Sequence, residues 1–115
     1  MFIKKSGARV EVKNILADIP QQVPEELFSR LLEHENIQIE RIVSRGHCSE
    51  KNAWYDQENN EWVLLIQGSA RLEFAQQTEF TELHAGDYLL IPAHCRHRVA
   101  WTDPEVDSIW LAIHF

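Results

Sequence analysis

Cysteine is scarce in this 115-residue chain: only Cys48 and Cys95 occur. Two cysteines make no disulfide framework, and reduced thiols in a cytoplasmic protein are expected. No segment approaches the roughly 20 apolar residues that a membrane-crossing helix needs. The start, Met1 to Ser6, has no apolar run of the kind that marks an export signal. No membrane partner is therefore expected. Basic residues are also few, 11 Lys and Arg against 18 Asp and Glu, for a net charge of −7. They are scattered rather than clustered, which argues against a nucleic-acid partner. Glycine and proline number four each, and no linker, repeat or low-complexity tract is visible.

What the chain does have is apolar residues, 44% of the total. That suits one domain with a core of its own. From Ile37 onward the pattern has the period of two that marks strands. Short strands are expected over Trp62–Gln67, Ala70–Phe74, Glu79–Leu83, Tyr88–Ile91, His97–Trp101 and Ser108–Phe115. Turn signals separate them at Glu58-Asn59-Asn60, Gly68, Gly86-Asp87, Pro92 and Asp103-Pro104. Many short strands with regular turns indicate an antiparallel sandwich or barrel. Upstream, residues 1–24 read as an N-terminal arm, with Arg9–Lys13 alternating like a short strand. Pro24–Glu33 reads as one short helix. Proline suits a first helical turn, Glu25 and Glu26 complement the helix dipole, and Leu27, Phe28, Leu31 and Leu32 make a stripe. The expected organisation is thus an arm and packing helix over residues 1–36 and a barrel over 37–115. Strands such as Trp62–Ile66 and Ile109–Phe115 are apolar on both faces, and a homodimer is the simplest cover for them.

Two segments carry the chemistry. Gly86 to His97 reads as a turn, a short apolar strand, a second turn at Pro92, and a histidine entering the next strand. Upstream, Glu61 precedes Gly68 by a strand's length. Alternate strand residues share a face, so Glu61, Val63 and Leu65 go together, as do His97, Val99 and Trp101. If Glu61 and His97 both point inward, a carboxylate and an imidazole meet in an apolar cavity. A divalent metal would neutralise the first and fix the second. Gln57 is the candidate for a third, neutral ligand. Tyr55, Asp56 and His47 compete with it for entry, because a slip of one residue in this short segment flips every side chain. Without a metal, Glu61 and His97 would instead pair with each other in a dry barrel. Tyr55 and His94 are candidate proton carriers, and Trp101 and Arg98 candidate pocket residues, a stacking wall and an anion holder.

These residues resemble the two motifs of the cupin superfamily. The second motif, G-x5-P-x-G-x2-H-x3-N, is met by Gly86, Pro92 and His97, with His94 at its glycine and Trp101 at its asparagine. The first, G-x5-H-x-H-x(3–4)-E-x6-G, is met only by Glu61 and Gly68; its histidines fall on Tyr55 and Gln57, or on Trp54 and Asp56. Trp54-Tyr55-Asp56-Gln57 before Glu61–Leu65 is similar to small bacterial single-domain cupins. The resemblance implies an antiparallel jelly-roll barrel (a double-stranded β-helix) holding a divalent metal at Gln57, Glu61 and His97. The missing histidine pair favours zinc over manganese, iron or nickel. It implies an isomerase or lyase acting on a small carbonyl- or carboxylate-bearing metabolite, ahead of a dioxygenase. The alternative is a non-catalytic module that binds a small molecule through a degenerate metal site.

Overall fold

The computed structural model describes residues 9–115, all β-strand and loop. The first eight residues of the expected arm lie outside them. Eight strands form: β1 (Leu27–His34), β2 (Ile37–Ser44), β3 (Glu61–Gln67), β4 (Ser69–Phe74), β5 (Thr81–His84), β6 (Tyr88–Ile91), β7 (His97–Thr102) and β8 (Ser108–His114). They pair antiparallel in two sheets, one ordered β1-β2-β8-β3-β6 and the other β5-β4-β7. The two sheets face each other as a jelly-roll barrel. No helix long and apolar enough to cross a membrane occurs among the described residues.

Strand alternation sets the core. Glu61, Val63 and Leu65 of β3 are buried, while Trp62 and Leu64 between them are half-buried. Val63, Leu65, Ala70, Leu72, Leu83, Ile91, Trp110 and Ala112 form one cluster drawn from both sheets. Each large aliphatic among them stabilises the fold by about 2 kcal/mol through area removed from water. On the other side of the five-stranded sheet, the register aligns Leu90, Trp62, Ile113, Ile39 and Leu32 across all five strands. The sheet is therefore apolar on both faces.

The structure corrects the expected helix. Pro24–Glu33 contains no helix; its last seven residues begin β1, which pairs with β2 through a tight turn at Glu35-Asn36. Glu35 takes φ 51°, the left-handed conformation that such hairpin turns use. The misleading stripe has a physical origin. The β1–β2 register shifts between Arg30 and Leu32, so Leu31 is an inserted bulge residue. An extra residue breaks the period of two, and Leu27, Phe28, Leu31 and Leu32 then imitate helical spacing. The strand expected at Arg9–Lys13 is also absent; that stretch has no regular structure. The arm is fastened further along. Arg41, 8% exposed, donates from Nη1 to the carbonyls of Ile15 and Ala17 at 3.0 and 2.6 Å.

Gly68 links the two sheets at the β3–β4 corner. Its φ is +95°, and an added Cβ would lie 2.5 Å from Ser108 Oγ and 2.7 Å from Ser108 Cα. Gly86 has a similar φ of +97°, but nothing stands within 4 Å of its missing Cβ. The pair separates backbone strain from steric clash. Gly86→Ala is expected to cost about 1–2 kcal/mol from strain alone. Gly68→Ala, which also drives into backbone at Ser108, is expected to cost more than about 3 kcal/mol. Urea unfolding of the two variants measures the difference; equal losses would contradict the close approach at Ser108.

Candidate functional site

The inner faces of β2, β3, β7 and β8, with Tyr55 and Gln57 and residues of the neighbouring strands, line a half-open cavity of about 130 Å³. Val63, Leu72, Ile91, Val99 and Trp110 give it an apolar wall. Its polar groups are Glu26, Glu40, Tyr55, Gln57, Glu61, His97 and His114. Strand parity places them there. His97 and Val99 alternate on β7, Glu40 and Ile42 on β2, and Trp110 and His114 on β8.

Glu61 and His97 form the centre. They are 7% and 6% exposed. The backbone holds His97 on both sides. Its N–H and carbonyl bond those of Tyr55 at 3.2 and 2.7 Å, closing an isolated bridge. Its Nδ1 lies 2.9 Å from the Cys95 carbonyl. A carbonyl only accepts, so Nδ1 carries a proton, and in the neutral ring Nε2 presents its lone pair. That Nε2 is 3.9 Å from Glu61 Oε1, too far for a hydrogen bond. Two acceptors thus face each other in a buried site. Burial raises the Glu61 carboxyl above the ordinary carboxylate range, against the opposing pull of His114 and then His97. Glu40 raises it further, and a hydrogen bond from Gln57 lowers it. The Oε1 of Gln57 is buried with no donor in reach.

A second acid–imidazole pair lines the same cavity. His114 stands opposite Glu61 across β8 and β3. Its Nε2 lies 3.0 Å from Glu40 Oε1, so it donates to that carboxylate. Glu26, at the cavity's edge, accepts from the Ser44 hydroxyl.

These donors can be tested against a divalent ion. The lone pair of His97 Nε2, the carboxylate of Glu61 and the unpartnered Oε1 of Gln57 would offer such an ion one nitrogen and two oxygen atoms. That set suits zinc or manganese. It needs Gln57, since no three His, Cys, Asp or Glu side chains are placed to hold a metal among the described residues. The residues fit a mixed set of this kind, not a histidine-rich one.

The structure brings Tyr55, Gln57, Glu61 and His97 together and leaves other expected residues outside. Asp56 and His47 are not in the cavity wall. His47 accepts from the Arg45 N–H and donates to the Pro24 carbonyl. His94, expected as a proton carrier, is corrected: it sits in an exposed turn, its Nδ1 2.8 Å from Asp56 Oδ1. Its φ of 62° explains why a glycine belongs in the motif at that position. Trp101, expected as a cavity wall, is corrected too. The β4–β7 register passes from Leu72↔Val99 to Arg71↔Trp101, so Ala100 is an inserted bulge residue. The bulge reverses parity, burying Thr102 and turning Trp101 outward, where Arg71 lies 5.1 Å from its ring. Arg98 also points away from the cavity, bonded to Glu73 and the Ser49 carbonyl. The residues that sequence reasoning missed are Glu26, Phe28 and Glu40. Glu40 shares parity with Ile42 on β2, a signal that was available. Glu26 and Phe28 were hidden by the false helix.

A two-sheet antiparallel barrel with a buried carboxylate and imidazole at one end defines the class to which this chain belongs. The family model described as a cupin domain matches residues 42–114. The chain is a member of the cupin family. Its fold is similar to that of a Ralstonia eutropha JMP134 protein, provisionally named a mannose-6-phosphate isomerase. That pair shares 45% identity over 91% of this chain and 97% of the other, with a TM-score of 0.88. A cupin superfamily protein from Desulfitobacterium hafniense DCB-2 shares 20% identity over 84% of this chain and 83% of its own, with a TM-score of 0.68. A conserved Streptococcus pyogenes protein of unknown function shares 14% over 93% and 88%, with a TM-score of 0.71. A search of curated proteins found no match.

The raised Glu61 carboxyl has a consequence for stability. In metal-free protein the folded state holds the Glu61 proton to higher pH than the unfolded chain does. Between the ordinary carboxylate value and the raised one, the folded state therefore binds more protons, and stability falls as pH rises. Glu61→Gln removes this penalty. The variant is expected to melt above the metal-free wild type at pH 8, with the gap closing by pH 4. A gap of constant size across that range would show that Glu61 titrates normally.

Proposed function

We propose that this cupin moves a proton on a small carbonyl- or carboxylate-bearing metabolite, as an isomerase or a lyase. The carrying observation is the pair of buried acceptors, His97 Nε2 and Glu61, facing each other at 3.9 Å. Such a pair needs a proton or a cation between its members. Gln57, Glu61 and His97 would hold a divalent ion, with zinc ahead of manganese, iron or nickel. When bound, the ion supplies a Lewis acid that polarises a carbonyl oxygen. The isomerase name of the Ralstonia eutropha relative, at 45% identity, supports the same reaction class.

The chain's own groups do the rest. In an isomerisation, a proton leaves the hydroxyl-bearing carbon beside the carbonyl, its C–H electron pair forms a carbon–carbon double bond, and the carbonyl's π pair moves to oxygen, giving an enediolate. A proton then returns on the former carbonyl carbon while the hydroxyl proton passes to the enediolate oxygen, leaving the carbonyl one carbon along. The Tyr55 hydroxyl and His114 Nε2 would carry the proton, and their position in the cavity wall supports that role. Glu40 holds the ring of His114 in one orientation. The apolar wall lowers the polarity around the inner end of the cavity, which strengthens electrostatic interactions there.

A second reading, a non-catalytic binding module, draws support from the absence of a three-residue His/Cys/Asp/Glu cluster among the described residues. Deuterium exchange separates the two. Zinc- and manganese-loaded protein in D₂O is offered a panel of small hydroxyaldehydes, hydroxyketones and keto acids. Deuterium is expected beside the carbonyl of one class, with His114→Gln lowering the rate by about 10²-fold or more. Binding without exchange, in every metal form, would favour the module.

A further inference from the structure

We infer that the cavity takes a small, uncharged hydroxycarbonyl compound of three or four carbons and rejects sugar phosphates. This inference rests on the proposed proton chemistry and narrows its substrate.

Size is the first observation. The cavity is about 130 Å³. A protein cavity of about 150 Å³ holds benzene, so this one takes about six non-hydrogen atoms. That matches a triose or a tetrose fragment. A hexose phosphate has more than twice that content, and the excess would leave through the mouth.

Charge is the second observation, and it is independent of size. The mouth is where the exposed lining residues stand, Phe28 at 59% and Tyr55 at 45%. Two carboxylates, Glu26 and Glu40, line the cavity beside Glu61, whose own charge a proton or a bound ion offsets. Among the described residues, no lysine or arginine lines it. The nearby arginines are turned to other partners. Arg30, beside Glu40 in register, pairs with Glu33 at 3.2 Å, and Arg98 pairs with Glu73. A phosphate at the mouth would meet like charges in a partly dry setting, where they are weakly screened. Hydroxyl groups meet acceptors instead. Glu40 and Glu26 both accept hydrogen bonds, and the Tyr55 hydroxyl both gives and takes.

The test uses the full chain and four probes: dihydroxyacetone, its phosphate, a hexose and that hexose's 6-phosphate. Binding is read from the indole resonance of Trp110, which lies in the cavity wall. Dihydroxyacetone is expected to shift that resonance, and its phosphate to bind at least about tenfold more weakly. Neither hexose is expected to move it. The Glu26→Gln/Glu40→Gln double variant is expected to narrow the gap between dihydroxyacetone and its phosphate by about fivefold. Higher salt should narrow it in unaltered protein as well, which covers the case of a variant that does not fold. A phosphate that binds as well as its parent, a hexose 6-phosphate that shifts Trp110, or no shift with dihydroxyacetone would each overturn the inference. Selective binding of dihydroxyacetone without deuterium exchange would leave the ligand class standing and remove the reaction. Exchange on phosphorylated compounds alone would do the reverse.

Discussion

Two hydrogen-bond acceptors face each other across a buried space, and the rest of the site follows from that. His97 gives its Nδ1 proton to the Cys95 carbonyl, so in the neutral ring its other nitrogen reaches toward Glu61 with a lone pair. Glu61 is buried and keeps no strong donor beyond Gln57. Leaving both groups unprotonated and unmetallated would cost several kcal/mol. The barrel therefore stores a demand for positive charge at one point. A proton meets it by raising Glu61, and a divalent ion would meet it by ligation.

The fold serves that point through small irregularities. The bulge at Ala100 keeps His97 and Val99 facing inward while sending Trp101 out to Arg71. The bulge at Leu31 bends β1 beside the cavity that Phe28 helps to line. The bridge between Tyr55 and His97 brings a segment outside the named strands against β7, and with it Gln57 and the Tyr55 hydroxyl. At the two bulges a single residue out of period changes which side chains face inward.

Those irregularities also mark what was legible in the sequence. The all-β barrel was readable, because period-two runs and turn residues agree along most of the chain. Glu61 and His97 were readable as neighbours from motif spacing and strand parity, whereas Gln57 was one of several alternatives that the register of a short segment left open. Parity failed where a bulge intervened, at Trp101 and in β1, since a bulge leaves no fixed mark in composition. His94 misled differently: the family motif places glycine there for a left-handed turn, and a histidine in that turn faces solvent. Glu40 was missed because a lone acid on an apolar strand looks like any edge charge until its partner, His114, is placed against it.

The most direct test of the central pair is metal content. Protein purified without an affinity tag is analysed by mass spectrometry beside His97→Ala and Glu61→Ala. The account predicts near-stoichiometric zinc or another divalent ion after reconstitution, lost in both variants while each stays folded. Background metal in the unaltered protein after reconstitution, or full metal in either variant, would contradict it.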